Sequence, residues 1–246
     1  MKTAKLIFST LTFVLFFQNT IGAQDTKHEL EGYKYKEVIV NSSSNDATLP
    51  LIIGLHWMRS NPDEFSVYLK DIKGPSRILL LEGNYPFKEG YSFFPTEPEN
   101  YYKMEADGKL RILTEEGNKL AKFIESASKK YPSVKKPIII GASQGGDLSY
   151  FIAIKHPELI GLSCPLLATF DHRIIGKTKV KPSAFINAFH GEEDPIVPLQ
   201  TALRHIKTLK KNHFKAQIKT YKDVQHDISD LMKSDFTVLI EKYLKN

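Results

Sequence analysis

Short, unbroken apolar runs alternate along most of this sequence with stretches of helical periodicity, and that alternation restricts the fold more than any other feature. Ile138-Ile139-Ile140 and Ile78-Leu79-Leu80-Leu81 contain no polar residue that could turn toward water. Strands of this kind must be covered on both faces, as in the centre of a parallel sheet. Strand-like runs fall at residues 37–40, 51–56, 77–81, 137–141, 159–167, 184–190 and 216–221. Between them, Leu113, Leu120, Phe123, Ile124 and Ala127 recur at helical spacing, as do Ile228, Leu231, Met232, Leu239 and Tyr243. Asn61-Pro62-Asp63-Glu64 reads as a helix start, with an Asn cap, a first-turn proline and acids at the positive end of the dipole. Strand alternating with helix predicts a mostly parallel α/β sheet flanked by helices in a single domain. Residues 84–107 break the rhythm with seven Tyr or Phe side chains and three prolines. A long irregular segment after a central strand lies over the carboxyl ends of the strands, where it can line a ligand site or simply pin a loop to the core.

Charge and targeting signals narrow the class further. The net charge of +6 comes mostly from scattered lysines, with no arginine-rich block or nucleic-acid-binding motif. That pattern reads as a solvated basic surface and argues against a nucleic-acid partner. Lys2 and Lys5 precede an apolar stretch from Leu6 to Phe17, and Ile21-Gly22-Ala23 supplies a small residue for cleavage. The stretch holds about 12 residues, short of the ~20 needed to span a bilayer. Residues 1–23 are therefore expected to be a signal peptide cleaved after Ala23. Residues 24–246 then form a secreted or periplasmic domain without stable membrane insertion. Cys164 is the only cysteine, so no intramolecular disulfide is possible, and its apolar surroundings mark it as a buried small hydrophobe. Oligomeric state is not legible in the sequence.

The chemistry is concentrated in three segments. Gly141-Ala142-Ser143-Gln144-Gly145-Gly146 follows an apolar strand and precedes the helix-like residues 147–155. A Gly-x-Ser-x-Gly at a strand-to-helix turn is a nucleophile elbow, in which a strained backbone lifts the Ser143 hydroxyl above the sheet. A serine hydroxyl needs a base, and in elbow-type hydrolases the chain order is nucleophile, acid, histidine. His205 lies in a lysine-rich helical stretch where a solvent-facing role is expected, and His213 precedes the last strand. His226 follows that strand and is the expected base. Asp194, in His190-Gly191-Glu192-Glu193-Asp194-Pro195-Ile196-Val197-Pro198, is the best-placed acid, with Asp171 its competitor; Glu192 and Glu193 read as exposed loop charges.

Gly-Ala-Ser-Gln-Gly-Gly together with His-Gly-Glu-Glu-Asp-Pro-Ile-Val-Pro resembles the carboxylesterase/phospholipase-type serine esterases of the α/β-hydrolase superfamily, relatives of the dienelactone hydrolases. The resemblance spans roughly residue 51 to the C-terminus. It implies hydrolysis of a small-molecule carboxylic ester through an acyl-enzyme, with Ser143, Asp194 and His226 as the triad and no metal or organic cofactor. It also implies an oxyanion hole from the backbone N–H groups of Gln144 and Met58. The family normally has His-Gly after its first core strand, where this chain has His56-Trp57-Met58. Trp57 is expected to face the cleft, the alternative being a packing role. Two other functions stay open: a small exported serine peptidase, and a non-catalytic binding protein on a hydrolase scaffold.

Overall fold

The computed structural model describes residues 27–42, 48–176 and 182–245, so the signal-like segment at residues 1–23 lies outside the described residues. An eight-stranded sheet runs in the spatial order β1-β2-β4-β3-β7-β8-β9-β10. Its strands are β1 (Lys27–Leu30), β2 (Tyr33–Val40), β3 (Leu51–Leu55), β4 (Ser76–Leu81), β7 (Ile138–Ala142), β8 (Leu162–Leu166), β9 (Phe185–Gly191) and β10 (Lys215–Tyr221). β1 and β2 are antiparallel to their neighbours, and all other pairings are parallel.

Among the described residues, five α-helices cover the sheet: α1 (Pro62–Leu69), α2 (Ala106–Lys130), α3 (Gln144–Lys155), α4 (Leu199–Lys211) and α5 (Asp230–Lys245). The unbroken apolar strands are split between two cores. Ile138 and Ile140 of β7 turn toward α1 and α5, where they meet Phe65, Met232 and Phe236. Ile139 turns the other way, toward Leu120, Phe123, Leu148 and Leu209 on α2, α3 and α4. Burying both faces is what removes the polar alternation from these strands. At the sheet edge, where one side meets water, alternation returns: Tyr33 and Tyr35 of β2 are buried while Lys34 is exposed.

The helix starts follow from capping chemistry. Asn61 caps α1 by accepting the Glu64 N–H at 3.0 Å, with Pro62 in the first turn. Ser229 accepts the Met232 N–H at 3.3 Å at the start of α5. Several boundaries differ from those expected. The run at residues 159–167 contributes only Leu162–Leu166 to the sheet, and residues 37–40 are the second half of an eight-residue strand. β1 has no apolar pattern, because among the described residues it is an edge strand paired with β2 alone.

The aromatic segment folds as a small antiparallel hairpin, β5 (Tyr85–Phe87) with β6 (Gly90–Ser92), followed by buried Phe93 and Phe94. Phe94 stacks on Tyr101 at 4.2 Å between ring centroids. Phe93, Phe94 and Tyr101, three of the seven aromatics, therefore pin the segment to the core. Among the described residues, no helix is long and apolar enough to cross a membrane.

The chain passes from β3 to β4 on one side and returns to β7 on the other. This leaves a topological switch point at the carboxyl ends of β3 and β7, where open α/β sheets bind ligands. Every segment singled out for chemistry emerges at that end.

Candidate active site

β7 ends at Ala142 and α3 begins at Gln144, leaving Ser143 alone in the turn with φ 52° and ψ −113°. A non-glycine residue there is strained by ~1–3 kcal/mol and persists only where its surroundings over-determine it. Here they do. The Ser143 N–H donates to the Leu166 carbonyl at 2.9 Å, and the Ser143 carbonyl accepts from Asp147 at 2.9 Å. The two flanking glycines are required by contact: a Cβ on Gly141 would lie 2.3 Å from Gly145 backbone, and one on Gly145 would lie 2.4 Å from the Leu55 carbonyl. Sequence and sterics agree at this turn.

Asp194 and His226 arrive from the loops after β9 and β10, and those loops are bonded to each other. Glu192 donates its N–H to the Tyr221 carbonyl at 2.9 Å, and Glu193 to the Val224 carbonyl at 3.0 Å. The Asp194 side chain is fully buried. Its Oδ1 accepts from the N–H groups of Ile196 and Val197, both at 2.8 Å, and its Oδ2 lies 2.7 Å from His226 Nδ1. His226 Nε2 lies 3.1 Å from Ser143 Oγ. A carboxylate can only accept, so Nδ1 carries the proton and Nε2 is left to accept from the serine hydroxyl. Three residues widely separated in sequence thus form one hydrogen-bonded line. His190 is a buried neighbour of this line, but its Nε2 is committed to the Val197 carbonyl at 2.8 Å.

The competing candidates are engaged elsewhere. The Asp171 carboxylate binds Arg173 and sits below its ordinary pKa because of that bond. Glu192 and Glu193 are exposed. Cys164 is fully buried in β8, and burial raises its thiol pKa.

His205 departs from its expected solvent-facing position. With Ala202, Ile206 and Leu209 it completes the buried stripe of α4, which is 4% exposed at this residue. Its Nε2 lies 2.7 Å from Thr169 Oγ1 and its Nδ1 lies 2.7 Å from His172 Nε2. Burial, assisted by His172, lowers its pKa to about 4. The surrounding lysines hide the stripe in the sequence, because they occupy the outer face of the same turns.

The loop after β3 brings the remaining polar groups. His56 is fully buried, accepts the Gly83 N–H on Nε2 at 3.1 Å, and has Nδ1 2.6 Å from the Trp57 carbonyl. With Nε2 accepting, Nδ1 carries the proton and donates to that carbonyl. Burial depresses the His56 pKa to about 4, so the ring is neutral. Ser60 donates a second hydrogen bond to the Trp57 carbonyl at 3.2 Å. The Trp57–Met58 peptide is trans, so holding its C=O against His56 turns the Met58 N–H the opposite way.

Gln144, at the other side of the elbow, is held through its side chain. Its Oε1 accepts the Phe93 N–H at 3.1 Å and its Nε2 donates to Ser92 Oγ at 3.0 Å. Among the described residues, neither the Met58 nor the Gln144 backbone N–H donates to a protein acceptor.

A cleft of about 540 Å³ opens over Ser143 and His226, with Met58 in its wall. Trp57, Tyr68, Tyr102, Leu167 and Ile196 make the wall largely apolar. Trp57 does both things considered for it: it lines the cleft while packing edge-on against Phe65 and Tyr68, at 6.3 and 6.0 Å between ring centroids. Tyr102 is the member of the aromatic segment that reaches this cleft. Among the described residues, no group of three or more His, Cys, Asp or Glu side chains is arranged to hold a metal ion.

A mostly parallel sheet with helices on both faces, and an elbow serine at its switch point, defines an α/β-hydrolase. Residues 102–243, more than half of the chain, match the phospholipase/carboxylesterase family, and the protein belongs to that family. Solved structures agree on the fold. Esterase PE8 superposes with a TM-score of 0.70 at 15% identity, over 86% of this chain and 99% of its own. A Mesorhizobium loti carboxylesterase gives 0.68 at 16% identity, over 87% and 95%. A Bacillus cereus carboxylesterase gives 0.65 at 15% identity, over 85% and 94%. Comparison with curated protein sequences gives no significant match.

Proposed function

We propose that the protein is an exported serine hydrolase that cleaves carboxylic esters through an acyl-enzyme on Ser143. The observation that carries this reading is the hydrogen-bonded line from Ser143 Oγ through His226 to Asp194, with separations of 3.1 and 2.7 Å. In the first step His226 Nε2 takes the hydroxyl proton as Oγ bonds to the ester carbonyl carbon. Asp194 keeps the imidazole in the required tautomer and stabilises the imidazolium. The carbonyl oxygen becomes an oxyanion held by the N–H groups of Met58 and Gln144. Collapse of the tetrahedral species breaks the bond to the alcohol oxygen, which leaves with the proton from His226. A water then repeats the sequence on the acyl-Ser143 ester, losing its proton to His226, and the acid departs as Ser143 regains its hydrogen.

A fluorophosphonate probe is expected to label the wild-type protein and not Ser143→Ala, in parallel with hydrolysis of p-nitrophenyl esters by the wild type alone. Equal labelling of both proteins would remove Ser143 from the nucleophile's role. Export rests on the sequence from Lys2 to Ala23. Intact-mass measurement on protein recovered from an exporting host is expected to show a chain beginning at Gln24. An active species that retains Met1 would count against cleavage.

A further inference from the structure

Arg59 follows Met58 directly and lines the same cleft as Ser143. Its backbone has φ 72°, the left-handed region that a long side chain seldom occupies. The surroundings hold it there. The Arg59 N–H donates to the Tyr91 carbonyl at 2.9 Å, and Tyr91 returns its own N–H to the Ser60 carbonyl at 2.9 Å. Residue 90 is glycine because a Cβ there would lie 2.3 Å from the Arg59 carbonyl oxygen. Ser60, Gly90 and Tyr91 therefore maintain a strained backbone at a residue of the cleft wall.

Arg59 is exposed, and among the described residues its guanidinium makes no ion pair, hydrogen bond or ring contact. Glu64, the acid in the adjoining helix start, is occupied by the Ser60 hydroxyl at 2.7 Å. Asp227, the one carboxylate in the cleft wall among the described residues, accepts the Ile228 N–H through Oδ1 at 2.7 Å. The remaining wall is dominated by aromatic and aliphatic side chains. An unpaired planar cation beside an apolar cleft is suited to bind a carboxylate or phosphate through two parallel hydrogen bonds.

We infer that Arg59 is a specificity residue which selects esters carrying a negatively charged group a few bonds from the scissile carbonyl. The consecutive Cα atoms of Met58 and Arg59 lie ~3.8 Å apart. Because both residues line the same cleft, an extended Arg59 side chain can reach groups near an ester whose carbonyl oxygen is held by the Met58 N–H. This inference rests on the hydrolase reading of Ser143 given above. The anion can belong to the acid or to the alcohol of the ester, and the two are separable by substrate.

The test compares kcat/KM for two matched pairs in wild type, Arg59→Gln and Arg59→Lys. Monophenyl succinate against phenyl butyrate places the charge in the acyl part. 4-Acetoxybenzoate against methyl 4-acetoxybenzoate places it in the alcohol part. The ratio of anionic to neutral substrate within each protein cancels any general loss caused by the substitution.

In at least one pair the ratio is expected to fall by about 10- to 100-fold in Arg59→Gln, the size of a lost charge-assisted hydrogen bond. The change should lie chiefly in KM, with Arg59→Lys recovering part of it. Because the site is open to solvent, the wild-type ratio should also shrink as ionic strength rises. Ratios in both pairs that are the same for wild type and Arg59→Gln would overturn the role of Arg59 while leaving the hydrolase reading intact. Absence of hydrolysis of all four esters by the wild type would overturn both.

Discussion

Substitution of Ser143 by alanine is expected to lower kcat/KM for ester hydrolysis by about 10⁴- to 10⁶-fold, equivalent to at least ~5.5 kcal/mol of lost transition-state stabilisation. His226→Ala should cost a similar amount, because Ser143 Oγ then has no acceptor for its proton. Asp194→Asn is the informative third variant. An asparagine can still accept the N–H groups of Ile196 and Val197 through its oxygen, so the loop keeps its shape. Its amide then faces His226 Nδ1 as a donor, which favours the wrong imidazole tautomer and leaves Nε2 protonated toward Ser143. A loss of about 10⁴-fold is expected from that change alone. The double variant Ser143→Ala/His226→Ala should be no slower than the worse single variant, since the residues act as a unit. Steady-state kinetics on p-nitrophenyl esters check this. Losses that multiply, or a Ser143→Ala protein within tenfold of wild type, would show that the hydrogen-bonded line is not the catalytic machinery.

The second large effect is expected at His56, a residue that need not touch substrate. It is fully buried and joins two backbone groups, donating to the Trp57 carbonyl and accepting from Gly83. His56→Leu fills a similar volume but leaves the Gly83 N–H without its acceptor. A buried unpaired donor costs ~1–3 kcal/mol, visible as a lower urea midpoint. The same change frees the Trp57–Met58 peptide from one of the two bonds holding its carbonyl. If the Met58 N–H serves the oxyanion, its misdirection should lower kcat by about 10²-fold with little change in KM.

A pH series separates the two contributions. The folded pKa of His56 is depressed from 6.5 to about 4. The unfolded chain therefore binds a proton that the folded one refuses, and wild-type stability falls as pH drops from about 6.5 toward about 4. His205 acts in the same direction, so His56→Leu should reduce that slope without abolishing it. A lowered midpoint with unchanged kcat would make His56 a support for the fold and nothing more.

The elbow is the part of the site that could be read from the chain alone, and its physical basis is local. A strand, a strained turn and a helix are consecutive in sequence, and the glycines that permit the turn sit two residues either side of Ser143. The continuous apolar strands were equally legible, because burial on both faces erases the polar alternation. The burial of His205 is hidden in the sequence for the converse reason. Its helix carries lysines on one face and a buried stripe on the other, and a histidine is compatible with either. The edge strand β1 was invisible because only pairing with β2 defines it.

The sequence by itself determined an α/β-hydrolase with Ser143, Asp194 and His226 as its candidate triad, since each depends on short-range pattern and chain order. Tertiary structure alone decided where Trp57 packs, that His56 orients the Met58 peptide, and that Arg59 lines the cleft without a partner among the described residues. Those outcomes depend on which groups meet across β3, the hairpin and α1. Such meetings are set by the packing of elements distant in sequence, and no local pattern of residues encodes them.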